Sequence, residues 1–335
     1  MSDTSELQRL GTDVRASWQR FLDTFEPLRP ELYRYCRHLT HNPWDAEDLA
    51  QDTMARAFVT LGRLFSDLPE PRAWLFRVAS NLWIDRVRRA QIELLHRESA
   101  QSEPVHGELP LPEPQASREA AATLLALLSP QQRAAVVLKD VFEFSLEEIA
   151  TVLETTPNAV KAALHRGRER LSEPAPRSER GPAPGVLQDF ARAFNARDLE
   201  GLTALLLETA SVEIVGLVTE YGREAPRDRE TGSFAGTLSP LTNDERGGVA
   251  PELLEGDLGA IPRCEVVAYH DRWLLLFWFE DVRGPVVRTL MTAECEGDRI
   301  RHLRNYFFSP QVLAEVCDAL GLSYRVNGYR YWLTT

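Results

Sequence analysis

Basic and aromatic side chains are interleaved between residues 74 and 89, in the segment WLFRVASNLWIDRVRR. Arg77, Asn81 and Arg88 recur on one helical face, while Trp74 and Trp83 add more aromatic surface than one short helix needs for packing. Rings can stack on the bases of single-stranded nucleic acid while guanidinium groups hold its phosphates. The alternative is that both tryptophans belong to the hydrophobic core and that the arginines form a solvated face.

An acidic segment, DAEDLAQDTMARAF at 45–58, precedes this one. At helical spacing its small and apolar residues form one stripe, and its carboxylates, including Asp45, Asp48 and Asp52, lie on the other side. Such a face either binds a basic partner or is simply solvated. Asn42-Pro43 supplies a helix cap and a first-turn proline, so Asp45 falls in the electropositive first turn.

A third segment, SLEEIATVLETTPNAVKAALHRGRERL at 145–171, predicts a helix-turn-helix. Ser145 and Glu148 form a capping box, and Glu154-Thr155 makes the turn. Thr156 caps the second helix, whose polar side chains recur on one face, as entry into the DNA major groove requires. The alternative is an ordinary helical hairpin with a basic, solvated face.

The net charge of −12 argues against a free-standing, non-specific DNA binder, because neutralising phosphates needs a positive surface. It favours a basic partner protein. Residues 184–335 hold 15 arginines and no lysine against 23 acidic residues. The four cysteines show no C-x-x-C spacing and no close histidine, which predicts reduced thiols in a cytoplasmic protein without a metal site or other cofactor. A signal peptide and a membrane span are not expected, since the apolar run Trp273–Phe279 is too short to cross a bilayer.

The proline-rich and polar breaks along the chain predict several domains. Residues 14–97 are mostly helical, with a break at Leu64–Arg72 that contains Pro69 and Pro71. Glu93–Arg118 is polar and proline-rich, so a flexible or extended linker is expected, before helices resume at a second capping box, Ser129 to Gln132. Ser172–Pro184 is a second linker.

The pattern then changes to an amphipathic helix pair, Val186–Leu207, broken near residues 195–198, and a series of β segments. These segments are Ser211–Val218, Arg263–His270, Trp273–Glu280, Val286–Glu294 and Ile300–Phe308, followed by a short helix, Pro310–Leu320. The insertion Glu220–Gly259 is long and charged, and the aromatic end, Ser323–Thr335, is expected to pack back on a domain.

Together, residues 27–97 and 122–171 resemble the extracytoplasmic-function (ECF) group of the sigma-70 family of bacterial transcription initiation factors. The three segments quoted above are similar, in order and spacing, to its core-polymerase-binding helix, its −10-element helix and its −35-reading helix-turn-helix. The resemblance implies that carboxylates and a glutamine dock on the clamp helices of the largest polymerase subunit, these being Asp45, Glu47, Asp48, Gln51 and Asp52. Leu64–Arg72 would capture a flipped-out base of the −10 element.

The resemblance also implies two sets of DNA contacts. Those to the −10 element would come from Trp74, Arg77, Asn81, Arg86, Arg88 and Arg89. Those to the −35 element would come from Thr156, Asn158, Lys161, His165, Arg166 and Arg168. Where the family often has Ser-Arg after the lysine of the recognition helix, this chain has Ala162-Ala163, so the −35 sequence is not implied.

The C-terminal half resembles the SnoaL-like, nuclear-transport-factor-2-like cone fold. The expected fold class is therefore multidomain: two all-α sigma domains, the second with a helix-turn-helix, followed by an α+β cone-shaped SnoaL-like domain. The predicted boundaries are 14–97 for sigma domain 2, 98–118 for a linker, 119–172 for sigma domain 4, 173–184 for a linker and 185–335 for the SnoaL-like domain.

The resulting prediction is a sigma factor that is not an enzyme. It binds core RNA polymerase and promoter DNA and is regulated in cis by a C-terminal domain that takes either a small-molecule ligand or a regulatory protein. One alternative is a ligand-responsive DNA-binding regulator that acts without core polymerase. Another is a SnoaL-like enzyme fused to an inactive sigma-like half, with His270, Asp271, His302 and Tyr306 as candidate pocket residues.

Overall fold

The structure, a computed structural model, describes residues 2–61, 70–100, 128–170, 183–227, 262–270, 272–281 and 283–327. The chain divides into two compact units, Met1–Ser178 and Glu179–Thr335. Several predicted features lie outside the described residues: most of the Leu64–Arg72 break, residues 101–118 and 173–182 of the two linkers, most of the insertion and residues 328–335.

The first unit opens with four helices. These are α1 (Ser2–Phe25), α2 (Arg29–Thr40), α3 (Pro43–Leu61) and α4 (Pro71–Ala100), with a 3-10 turn at Glu26–Leu28 between the first two. Prolines stand at the start of α3 and α4, where a missing N–H costs nothing.

Two predicted helix limits were wrong. The first helix begins at Ser2, well before residue 14, and α4 continues to Ala100, so Glu93–Ala100 is helical rather than linker. The segment ELLHRESA consists mainly of residues with good helix propensity, and no glycine or proline interrupts it.

The core of these four helices forms around α2. Leu32, Cys36 and Leu39 of α2 are fully buried, as are Leu49 and Ala50 of α3. Alpha3 buries the apolar stripe predicted for it, which comprises Ala46, Leu49, Ala50, Met54 and Ala57. An aromatic cluster of Trp18, Phe21 and Phe58 holds α1 on α3.

The rest of the first unit is a helical module of α5 (Pro130–Asp140), α6 (Leu146–Val152) and α7 (Pro157–Arg170). Both predicted capping boxes are confirmed, Ser129 with Gln132 and Ser145 with Glu148. Alpha7 packs against α5 and α6. The module is joined to the first four helices, because α5 packs on α2 and α4, and α6 packs on α4.

The second unit starts with α8 (Gly185–Asn195) and α9 (Leu199–Ala204) and ends with α10 (Pro310–Leu320). The predicted break between the first two is confirmed: Arg197 has φ 59°, and the Asp198 side chain accepts a hydrogen bond from the Gly201 backbone at 2.8 Å. The helix pair stops at Ala204, three residues before the predicted end.

The described strands form a six-stranded sheet in the order β2-β1-β6-β5-β4-β3. They are β1 (Leu206–Ile214), β2 (Val218–Tyr221), β3 (Arg263–Tyr269), β4 (Arg272–Asp281), β5 (Gly284–Glu296) and β6 (Arg299–Asn305). Among the described strand pairs, β1–β6 is parallel and the others are antiparallel. The predicted segment Ser211–Val218 was misplaced, since one strand ends at Ile214 and another begins at Val218.

Alternation along the strands sends one set of side chains into a core shared with α8 and α9. This core contains Phe190 and Phe194 of α8 with Val212, Phe277 and Leu303 of the sheet. Beyond α10, the chain returns to β5: the Val287 backbone N–H donates to Ser323 at 2.9 Å, and that of Arg325 donates back to Val287 at 3.0 Å. The described start of the C-terminal segment therefore packs on the sheet, as expected.

Candidate functional site

The start of α3 presents an ordered carboxylate to solvent. The Asn42 side-chain oxygen accepts a hydrogen bond from the Asp45 backbone at 2.7 Å, and its amide group donates to the Asp45 carboxylate at 2.6 Å. This cap fixes the first turn, and Asp45 is exposed there. A carboxylate in this position is also stabilised by the positive end of the helix dipole.

Asp52 lies two turns further on and forms a salt bridge with Arg86 of α4. Arg86 also approaches the backbone carbonyl of Asp48 at 3.5 Å. The Asp52 side chain is 61% exposed and the Arg86 side chain 34%. Arg86, which was predicted to contact DNA, is therefore paired with Asp52, which was predicted to contact polymerase. Both side chains remain accessible to solvent.

Glu47 requires a correction, because it was predicted to lie on the same docking surface. Its carboxylate is fully buried and pairs with the Arg29 guanidinium at 2.5 Å. Gln51 donates to the same carboxylate oxygen at 2.8 Å, which turns its amide inward. The helical period places residue 47 toward α2, so Glu47 joins α2 to α3 and is not available to a protein partner.

Alpha4 carries the predicted single-strand face. Arg88 and Arg89 are exposed, while Arg77 and Asn81 are half-buried. Arg88 lies 3.7 Å from Asp85, an exposed pair that contributes little stability and can be exchanged easily. The charges on this face therefore remain available to phosphate groups.

Trp74 requires the second correction. It is 8% exposed and its ring lies 5.9 Å from that of Phe25, so it belongs to the core and cannot stack on a base. Trp83 is half-buried, and the Arg133 guanidinium of α5 lies 5.6 Å above its ring. The core interpretation of the aromatic residues is thus correct for Trp74.

Local hydrogen bonds build the helix-turn-helix as the sequence predicts. The Ser145 hydroxyl accepts from the Glu148 backbone at 3.1 Å, and the Glu148 carboxylate accepts from the Ser145 backbone at 2.7 Å. These bonds lower the pKa of Glu148. Glu154, in the turn, has φ 49°, and the Thr156 hydroxyl caps α7 by accepting from the Ala159 backbone at 3.2 Å.

Alpha7 buries one face and exposes the other. Val160 and Leu164 are buried against the rest of the module. The exposed face carries five of the six predicted residues, namely Thr156, Asn158, Lys161, His165 and Arg166. The side chain of Arg168 lies outside the described residues. The hydroxyl of Thr156 already serves the cap, so its contribution is to position α7.

The second unit holds a polar cluster on the sheet face opposite its core. Ser211 and His302 are hydrogen-bonded at 2.6 Å, and the His302 ring lies 3.4 Å from Glu213. Arg304 donates to Glu213 at 2.7 Å. Burial raises the pKa of Glu213, but its hydrogen bonds to His302 and Arg304 and their charges outweigh this effect and hold the pKa at about 2.

Of the four residues considered for an enzyme pocket, this cluster includes His302. The side chains of residues 211 and 213 alternate with the core residue Val212, so they point away from α8 and α9. Tyr306 is fully buried, and Asp271 lies outside the described residues. The network is internally paired, which fits a role in joining β1 to β6.

Sequence reasoning missed the residues that join the two parts of the first unit. Phe142 and Phe144, in the connection between α5 and α6, are 7% and 3% exposed. They contact Phe76 of α4 at centroid distances of 5.1 and 5.6 Å. The sequence signal for this contact was a pair of phenylalanines at alternate positions of the short connection Val141–Phe144.

Comparison with known families accounts for the helical unit. Residues 24–92 match the model of sigma-70 region 2, and residues 118–171 match that of sigma-70 region 4. The first match contains α3 and most of α4, and the second contains the helix-turn-helix.

Curated relatives agree. The chain is 33% identical over 167 residues to the ECF RNA polymerase sigma factor SigW of Bacillus subtilis, covering 45% of this chain and 86% of SigW. It is 31% identical over 224 residues to SigG of Mycobacterium tuberculosis, covering 56% of this chain and 60% of SigG. The chain belongs to the ECF RNA polymerase sigma factors.

A third relative matches more of the chain. SigJ of Mycobacterium tuberculosis, another ECF sigma factor, is 27% identical over 301 residues, which cover 78% of this chain and 91% of SigJ. These relatives are sigma factors and not enzymes. Among the helices that the structure describes, none is long and apolar enough to cross a membrane.

Proposed function

We propose that this chain acts in the cytoplasm as a promoter-recognition subunit that binds core RNA polymerase and promotes DNA opening. One observation supports the proposal most: a single helical unit presents an acidic face on α3, a basic face on α4 and a polar, capped recognition face on α7. Family membership supports assigning the first face to a partner protein and the other two to promoter elements.

The polymerase contact would use the exposed acidic side of α3. Asp45, Asp48 and Asp52 form the proposed surface, and Glu47 is removed from it because it is buried. Gln51 would contribute little, since its amide binds Glu47. Docking on basic clamp helices explains how a chain with a net charge of −12 can be directed to DNA, because the polymerase supplies most of the phosphate attraction.

The −35 contact would use α7 in the major groove. Asn158 lies in its N-terminal half, where a recognition helix reaches base edges. Lys161, His165 and Arg166 follow on the exposed surface and suit the flanking phosphates. Arg168 stays a prediction from the sequence.

The −10 contact would use the solvent side of α4. Arg88 and Arg89 are exposed, and Arg77 and Asn81 lie half-buried one and two turns before them. Arg86 can join this face only after leaving Asp52. Trp74 is buried and is not part of the proposed −10 surface. An aromatic ring that stacks on a base would therefore belong to another residue.

The second unit would regulate this activity in cis. Its two leading helices over one face of a mixed sheet suit the SnoaL-like cone fold. The match to SigJ covers 78% of the chain, more than the first unit contains, so it extends into this second unit. We propose a domain at 185–335 that takes a small-molecule ligand or a regulatory protein, after linkers at 98–118, shortened by α4, and 173–184.

In vitro transcription tests the proposal. Full-length protein and core polymerase would be incubated with genomic DNA of the source organism, and transcript 5′ ends would be sequenced. Starts that require both components are expected, with shared motifs near −10 and −35. The charge reversals Asp45→Lys with Asp48→Lys should lower core binding at least tenfold, whereas Glu200→Lys, an exposed reversal in the second unit, should not.

Two other results would refute the proposal. Specific binding to DNA fragments without core, and no core-dependent starts, would identify a regulator that works alone. Neither DNA binding nor core binding would favour an enzyme fused to an inactive helical half.

A further inference from the structure

We propose that Ser211 is an activated nucleophile and a site of covalent acylation by small activated esters, with His302 as its general base and Glu213 as the group that orients the base. The three side chains form a nucleophile, base and acid series on the sheet face opposite the core of the second unit. This reactivity does not depend on the polymerase and promoter contacts proposed above.

Strand register brings the cluster together. Ser211 of β1 is paired with His302 of β6, and Glu213, two residues further along, is paired with Arg304. Residues two positions apart in a strand point to the same face, so the four side chains project from one side of the sheet. Both strands lie inside the sheet rather than at its edge. The site is therefore built on rigid elements, which hold reactive groups in place better than loops do.

The hydrogen bonds assign a role to each group. Arg304 donates to Glu213 from Nε at 2.7 Å and from Nη2 at 3.4 Å. With its pKa held at about 2, the Glu213 carboxyl is ionised at neutral pH and can only accept. The Nε2 of His302, 3.4 Å from that carboxylate, therefore carries the proton of the neutral ring. Its Nδ1 is then an acceptor, and the Ser211 hydroxyl donates to it at 2.6 Å.

The exposure of the cluster suits a reaction with a small molecule. The side chains of Glu213 and His302 are 22% and 23% exposed, and Ser211 is half-buried. Partial removal from water strengthens the attraction between an imidazolium and a carboxylate, while Oγ stays within reach of a small electrophile. Joining β1 to β6 does not by itself require this order of groups, because backbone hydrogen bonds already pair the two strands.

The reaction would be an acyl transfer. The Ser211 Oγ attacks the carbonyl carbon of the ester while His302 Nδ1 takes the hydroxyl proton, and the imidazolium is paired with Glu213. When the bond between the carbonyl carbon and the leaving oxygen breaks, the imidazolium gives the proton to the departing alcohol. The products are that alcohol, an ester on Ser211 and a neutral imidazole. The developing oxyanion would face solvent rather than fixed donors, so a single slow acylation is expected instead of rapid turnover.

Reaction of the full-length chain with p-nitrophenyl acetate tests this assignment. Release of nitrophenol would be followed by absorbance, and the acetylated residue would be located by peptide mass spectrometry. Wild type should release a burst of about one equivalent and carry the acetyl group on Ser211. Ser211→Ala should lose both signals. Wild type unfolded in urea should also lose acetylation at Ser211, because the cluster exists only in the folded sheet.

Two variants test the base and the group that orients it. His302→Gln should slow acetylation of Ser211 at least about a hundredfold, as expected for the loss of a general base. Glu213→Gln should slow it at least about tenfold. In a chain that already carries His302→Gln, Glu213→Gln should have no further effect, because Glu213 acts through the imidazole. Thr209→Ala, an exposed hydroxyl removed from the same strand, is the matched control and should react as wild type does.

Several results would overturn the assignment. One is acetylation of folded wild type at lysines or the N-terminus but not at Ser211. Another is equal acetylation of Ser211 in folded and urea-unfolded wild type, a comparison that needs no variant. A third is a wild-type rate in His302→Gln that circular dichroism shows to be folded. Acetylation of Ser211 that requires His302, in a chain that gives no core-dependent starts, would refute the proposed function and leave this site standing.

Discussion

A change at Glu47 distinguishes folding from the proposed polymerase binding, because its carboxylate is buried between α2 and α3. The change Glu47→Gln keeps the shape of the side chain and removes the negative charge 2.5 Å from the Arg29 guanidinium. The two side chains are 0% and 8% exposed, so the guanidinium would stay charged in a poorly solvated site. Breaking a buried pair in this way costs about 3–5 kcal/mol.

The loss would be measured by urea denaturation of the full-length chain, with helical circular dichroism as the signal. Arg56→Gln, an exposed change two and a half turns further along the same helix, is the control and should stay within about 0.5 kcal/mol of wild type. The paired change Arg29→Met with Glu47→Leu should recover most of the loss, because an apolar pair of similar volume needs no solvation.

Core polymerase binding would then be measured where Glu47→Gln is still folded. The folded variant should bind as wild type does, since residue 47 does not reach the surface. A variant as stable as wild type whose core affinity falls tenfold would refute this reasoning. Such a result would place the Glu47 carboxylate at the polymerase interface. It would also mean that the buried ion pair with Arg29 does not stabilise the fold.

Three further predictions concern other parts of the first unit. Burial lowers the pKa of His41 from 6.5 to about 2, and the charge of Arg133 adds to the effect. The contribution of the neutral imidazole to the free energy of unfolding is therefore fully present above pH 6.5 and is lost as the pH falls toward 2. At pH 5 the loss is about 2 kcal/mol. His41→Asn, which suits the left-handed backbone at this position (φ 64°), should remove this part of the pH dependence in urea titrations. Ser145→Ala should lower the stability of the helix-turn-helix by about 1 kcal/mol in thermal denaturation, because the capping box is lost. Lys161→Ala should reduce the slope of log affinity against log salt for promoter DNA by about 1, if its ammonium group meets a phosphate.

Each of these has a result that contradicts it. Equal pH profiles for wild type and His41→Asn would mean that this imidazole is solvated. Equal stability of Ser145→Ala and Ser145→Asp, which keeps a capping oxygen, would remove the cap as a source of stability. A wild-type salt slope for Lys161→Ala, with discrimination lost at one base pair, would move Lys161 from phosphate to base contact.

Local patterns allowed much of the helical structure to be predicted. Ser129 and Ser145 each satisfy orphan N–H groups within four residues, so the sequence alone determines those helix starts. The strands β3 to β6 were found within three residues at every end, because alternation and turn residues mark them. The end of α4 was missed, since polar residues were given more weight than their helix propensity.

The site was predicted less well wherever a side chain depends on a distant partner. Glu47 resembled its acidic neighbours until Arg29, 18 residues earlier, was placed against it. Trp74 resembled a stacking ring until Phe25 of α1 covered it. The ring contact between Phe76 and Phe142 joins residues more than 60 positions apart, and no periodicity within a single helix reveals such a contact.

The ion pair between Arg86 and Asp52 would couple the two proposed binding equilibria. If the Arg86 guanidinium moved to a DNA phosphate, it would leave an uncompensated carboxylate on α3, and if a basic polymerase helix paired with Asp52, it would release Arg86. Each ligand would then expose the group that the other binds, and thermodynamic reciprocity requires the two gains in affinity to be equal. Under the proposed function, cooperativity between polymerase and promoter would begin with this exchange of ion-pair partners.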